Sequence, residues 1–122
     1  MKKIISAIIA VMMFVSVNPA NATSLKNQSA CDKSTWLMVS MGISGAGGAQ
    51  TRTASWAKRE TANVKKLRAY ANSADGDVKQ LILQIAKVYE KSIKFRKNDF
   101  QYSAYLLEAV GLQFELSDIC IS

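Results

Sequence analysis

Among residue types that carry chemistry, this chain of 122 residues holds two Cys, nine Asp and Glu together, and no His. Without imidazole there is no Ser–His or Cys–His nucleophile pair, no HExxH zinc site and no histidine pH switch. Two thiols without imidazole also fall short of a four-ligand structural zinc site. Nothing marks a Ser–Lys dyad. Four glutamates are candidates for paired-carboxylate chemistry: Glu60, Glu90, Glu108 and Glu115. Glu60 and Glu90 lie in Lys/Arg-rich stretches and read as surface salt-bridge partners. Glu108 and Glu115 share a helical face two turns apart, about 10.5 Å. That exceeds the separation used by inverting glycosidases. Asp75-Gly76-Asp77 is too short for a calcium loop and reads as a turn. Gly42–Gly48 contains four glycines in seven residues but lacks the Gly-Lys-Ser/Thr ending of a phosphate loop. It reads as a connector or close-packing segment, and such a loop is also a place where a partner docks. No catalytic, cofactor or metal site is expected, so the reading is a binding protein and not an enzyme.

The N-terminus fixes how the cysteines are read. Lys2 and Lys3 precede an apolar run of 14 residues, Ile4–Val17, followed by Asn18-Pro19 and then Ala20-Asn21-Ala22. This order matches a bacterial-type secretory signal peptide, with cleavage expected after Ala22. The mature domain is then 23–122, 100 residues destined for the periplasm or the medium. In such a compartment Cys31 and Cys120 are expected to pair, closing nearly the whole mature chain into one loop. The sequon Asn27-Gln28-Ser29 is read as chance in a bacterial protein.

The elements that must position these residues read as helices. Thr23–Ala30 is polar and is expected to be a loose arm, with Ser34 capping a first helix from about Thr35. The helix ends in the Gly-rich stretch or runs through it with a small-residue face. A second helix is expected over 53–72, with Trp56, Ala57, Val64, Leu67, Tyr70 and Ala71 inward and Lys58, Arg59, Lys65 and Lys66 outward. A third is expected over 77–97, with Val78, Leu81, Ile82, Ile85, Tyr89, Ser92 and Ile93 inward. A fourth, over 99–118, is apolar on two sides. One side carries Phe100, Ala104, Leu107, Val110, Gly111 and Phe114. The other carries Tyr102, Tyr105, Leu106, Ala109, Leu112 and Leu116. Two readings follow: the helix is wrapped at the bundle centre, or Tyr102, Tyr105, Leu112 and Leu116 face a partner or a second copy. No sustained strand alternation competes. The fold class is all-α, a small three- to four-helix bundle closed by one disulfide between the ends of the mature chain.

Charge is distributed unevenly. Residues 52–97 carry twelve Lys/Arg against four Asp/Glu, whereas residues 98–122 carry four acids and no base. The basic helices would steer an acidic partner, with Lys58, Arg59, Lys65 and Lys66 as candidate contacts. Nucleic acid is not expected, given export and the lack of aromatics among the bases. In organisation the chain resembles periplasmic immunity proteins against cell-wall-degrading toxins and phage exclusion proteins that block wall lysozymes. The resemblance is one of architecture and is carried by no residue motif. It implies a protein-binding inhibitor or immunity-type protein. The alternatives are a basic envelope-surface or membrane-binding factor, and an accessory or assembly factor of a secretion or pilus system. Homodimerisation through the fourth helix suits the first and last.

Overall fold

A computed structural model describes residues 24–121, so the expected signal peptide, 1–22, lies outside the described residues. Among the described residues four α-helices run up and down: α1 (Leu25–Ser44), α2 (Ala54–Asn72), α3 (Gly76–Lys94) and α4 (Asp99–Ile121). A single 3-10 turn, Ala49–Thr51, lies in the α1–α2 connection. The short connections make sequential helices antiparallel neighbours, and α4 returns alongside α1. Among the described residues no strand occurs, and no helix is long and apolar enough to cross a membrane.

The amphipathic helices α2 and α3 form as their periodicity requires. Thr53 caps α2 by accepting from the Trp56 backbone N–H at 3.2 Å. Trp56, Val64, Leu67 and Ala71 are buried on its inner side, and the whole expected inner stripe of α3 is buried. Gly76 opens α3 at φ +56°, a left-handed conformation that strains any side chain, and so fixes the tight α2–α3 turn.

The first helix departs from expectation. The segment expected to be a loose arm is helical from Leu25, and Ser24, not Ser34, is the cap, accepting from the Asn27 backbone N–H at 3.3 Å. Long-range ties account for this. The Asn27 amide donates to Asp75 Oδ1 at 2.9 Å and its oxygen accepts from the Asp75 backbone N–H at 3.0 Å. Lys26 adds an ion pair to Asp75 at 3.0 Å, and these two partners hold the Asp75 carboxyl below the usual range. Ser34 is instead buried in mid-helix. Cys31 and Cys120 form a disulfide between α1 and α4, with Cα atoms 6.4 Å apart and 89 residues separating them. On the chain-entropy account a loop of that length contributes roughly 4–5 kcal/mol.

At the opposite end of the bundle a buried arginine joins two connections. Arg52 Nη1 donates to the Gly45 carbonyl at 2.6 Å, Nε donates to the Arg96 carbonyl at 2.7 Å, and Nη2 pairs with Asp99. Its guanidinium lies 4.0 Å from the centre of the Tyr102 ring. The α1–α2 connection is thereby fastened to the start of α4. Gly45 allows the close approach: a Cβ there would fall 1.7 Å from the Tyr102 hydroxyl oxygen.

Candidate protein-interaction surface

Helix α4 has apolar residues on two sides, and the bundle covers only one. Tyr102, Leu106, Ala109, Gln113, Leu116 and Cys120 are buried, while Tyr105 and Leu112 pack half-buried against the core. This corrects both expectations for α4. It is not wrapped on all sides, and Tyr102 and Leu116 are not available to a partner. Tyr102 meets Trp56 edge-on at 5.9 Å and stacks under Arg52, and Tyr105 stacks on Phe95 at 5.6 Å. The side read as core faces solvent instead. Phe100 is 84% exposed, Leu107 57% and Phe114 39%, with Ala104 and Gly111 exposed between them. Only Val110 of that side is buried. The reason is geometric. In a four-helix ring each helix turns roughly one side inward, so a helix apolar on two sides must leave one uncovered.

The exposed residues follow the 4-3-4-3 spacing of a coiled-coil seam: Phe100, Ala104, Leu107, Gly111, Phe114. Glu108 and Glu115 are exposed along one edge of this line, each one residue beyond a seam position. None of the ion pairs among the described residues involves either of them. Near the end of the seam, Asp77, Glu115 and Asp118 surround an open groove of about 440 Å³, with Leu81 and Ile119 among its lining.

The basic candidates lie elsewhere. Lys58, Arg59, Lys65 and Lys66 are exposed on the outer side of α2. Arg59 donates to Ser55 Oγ at 3.1 Å. Lys65 lines a groove of about 240 Å³ between α2 and α3 with Arg68, Lys94 and Glu90 over Val64 and Ile93. Arg68 and Glu90 pair across it at 3.1 Å, as the surface reading of Glu90 requires. The fold therefore separates the two groups of candidate residues: four bases on α2, four apolar residues turned into the core from α4.

Glu60 is corrected too. It is buried, not a surface partner. Its carboxylate accepts from Ser44 Oγ at 2.7 Å and from the Asn63 amide at 2.7 Å, and Ser44 in turn accepts from the Trp56 indole N–H at 3.2 Å. Burial pushes this carboxyl above its usual range, partly offset by those two hydrogen bonds and by Arg59. Tyr102 is raised to about 12 by burial and stays neutral. Tyr89, also raised by burial, accepts from the Gln113 amide at 3.1 Å. Sequence reasoning missed Arg52 and Glu60. The position of Glu60 gave a signal, because it falls on the α2 stripe with Trp56, Val64 and Leu67, whereas Arg52 lies in a connection with no periodic pattern. Among the described residues no group of three or more His, Cys, Asp or Glu is arranged to hold a metal ion.

Comparison of the chain with protein-family models, with curated proteins and with solved structures finds no match.

Proposed function

We propose that the mature chain is an exported, non-enzymatic protein-binding module, an inhibitor or immunity-type protein that neutralises a toxin or enzyme acting on the cell envelope. The observation that carries this reading is the uncovered seam of α4. Three large apolar side chains in register stand in water on a small disulfide-closed bundle. Such a surface is stable as an interface and unfavourable as free surface. The rest supports binding over catalysis: the buried polar groups are held by structural hydrogen bonds, Glu60 by the Ser44 and Asn63 side chains, Arg52 by backbone carbonyls and Asp99, and Tyr89 by the Met38 carbonyl and Gln113.

The test is a pull-down from periplasmic extract with the oxidised protein recovered from the periplasm, beside a Leu107→Asp variant. One stoichiometric protein that the variant loses is the expected result, and a partner that degrades peptidoglycan would identify the immunity role. A secretion or pilus component would favour the assembly role. A second reading, envelope-surface binding, is favoured by the basic α2–α3 groove with Lys65, Arg68 and Lys94. It predicts retention on envelope fragments that Leu107→Asp leaves intact and high salt abolishes.

A further inference from the structure

The seam of α4 also carries information about what covers it. We infer that its occupant is an amphipathic helix of the partner, apolar along one line and flanked by lysine or arginine. This rests on the reading of α4 as a protein-binding surface and adds the chemistry of the partner.

Three observations carry it. The first is spacing. Phe100, Ala104, Leu107, Gly111 and Phe114 alternate large and small in 4-3 steps, so the large side chains are separated by gaps at Ala104 and Gly111. A Cβ built on Gly111 meets nothing within 4 Å, so the gap is open to a side chain from outside. Knobs of a second helix fill such gaps, whereas an extended strand does not match a 3.5-residue period. The second is charge. Glu108 and Glu115, seven residues apart, mark one edge of the seam at the same period, and neither joins an ion pair among the described residues. The third is the groove beyond Phe114, where Asp77, Glu115 and Asp118 stand around Leu81 and Ile119. An apolar lining with acidic residues suits the long stem and cationic head of lysine or arginine.

A second copy of this chain fits less well. Residues 98–122 hold four acids and no base, so pairing α4 with itself sets like charge against like charge along the seam. The bases of the described residues lie on α1, α2, α3 and the connections between helices, and none is on α4.

The experiment uses the oxidised protein purified from the periplasm after expression of the full chain. It is titrated with three fluorescent helical peptides of about three heptads. One has leucines in a 4-3 line flanked by lysines, one the same line flanked by glutamates, and one the lysines with serines in place of the leucines. The lysine-flanked leucine peptide is expected to bind about tenfold more tightly than its glutamate counterpart at low salt, the gap narrowing as salt rises. The serine peptide should bind far more weakly than either. In the variant with Glu108→Lys and Glu115→Lys, whose changes are on exposed positions, the preference should reverse. Equal binding of both leucine peptides would overturn the charge inference and leave the protein-binding reading of α4 standing. Binding of the serine peptide as tightly as the leucine peptide would reduce the effect to bulk charge and overturn the inference. Binding of none would remove the seam as a helix-binding surface and the proposed function with it. Sedimentation showing a dimer that Leu107→Asp dissolves would replace the partner helix with a second copy.

Discussion

The outer faces of α2–α3 and of α4 are both conspicuous in the sequence, one for charge and one for apolar residues, yet they differ in what remains after folding. On α2 and α3 the apolar stripes are buried and the lysines left outside are hydrated, as on any soluble helix. On α4 the core takes one apolar side and leaves another in water. A hydrated lysine needs no further partner, whereas an exposed phenylalanine is stabilised by one. The larger charge asymmetry thus says less about binding than the smaller apolar remainder.

Substitutions in each region test this contrast. The largest effect is expected from Cys31→Ser with Cys120→Ser, which releases α4 from α1. Stability should fall by roughly 4–5 kcal/mol. Hydrogen exchange should rise first in the last turns of α4, ahead of α2 and α3. Uniform loss of protection would show that the two regions unfold as one.

The most direct comparison lies in two adjacent residues. Leu106 is buried and Leu107 exposed. Leu106→Asp should cost about 3 kcal/mol or more by burying an unpaired carboxylate. Leu107→Asp should stay within about 0.5 kcal/mol in chemical denaturation while removing partner binding. Equal losses from the two would erase the distinction between the sides of α4.

The support beneath the seam is next. Arg52→Ala removes the donors to Gly45 and Arg96 and the pair to Asp99 beside Phe100, and should cost about 2–3 kcal/mol. Gly45→Ala forces a methyl against Tyr102, with an expected loss of about 1–3 kcal/mol in thermal unfolding. If either left stability unchanged, the start of α4 would not depend on this staple.

Glu60→Gln tests the buried side of α2. Burial raises the folded-state pKa of Glu60 above its unfolded value. Its protonated form therefore favours the fold. That contribution is fully present below the ordinary glutamate range and is lost as pH rises through the raised value. Denaturation at several pH values should show this decline in the wild type and not in the variant, a small effect. Smaller still is the structural effect of reversing Lys65 and Lys66 to Glu, within about 0.5 kcal/mol. Stopped-flow association should slow only if an acidic partner meets α2. An unchanged rate would remove these two α2 lysines from the binding surface.

Much of the architecture was legible in the sequence. The α2 and α3 stripes and the pairing of Cys31 with Cys120 follow from periodicity, the exported context and the two cysteines. The start of α1 was not legible, because its polar first turn is held by Asp75, 48 residues away from Asn27. Glu60 was read as surface from its Lys/Arg-rich surroundings and Arg52 was not singled out, because their partners Ser44, Gly45 and Arg96 come from other elements.

Helix α4 marks the boundary between the two kinds of information. Local sequence determines that it is a helix and that it is apolar on two sides, because side-chain direction follows from a fixed 100° step. It does not determine which side turns inward. That choice depends on which side matches the surfaces offered by α1 and α3 and lets Cys120 reach Cys31. Tyr102 beneath Arg52 and against Trp56, and Leu116 in the core, are contacts between elements distant in the chain. The sequence determined the number of apolar faces on α4, and tertiary packing decided which one stays exposed, because only packing compares the two sides against the same core.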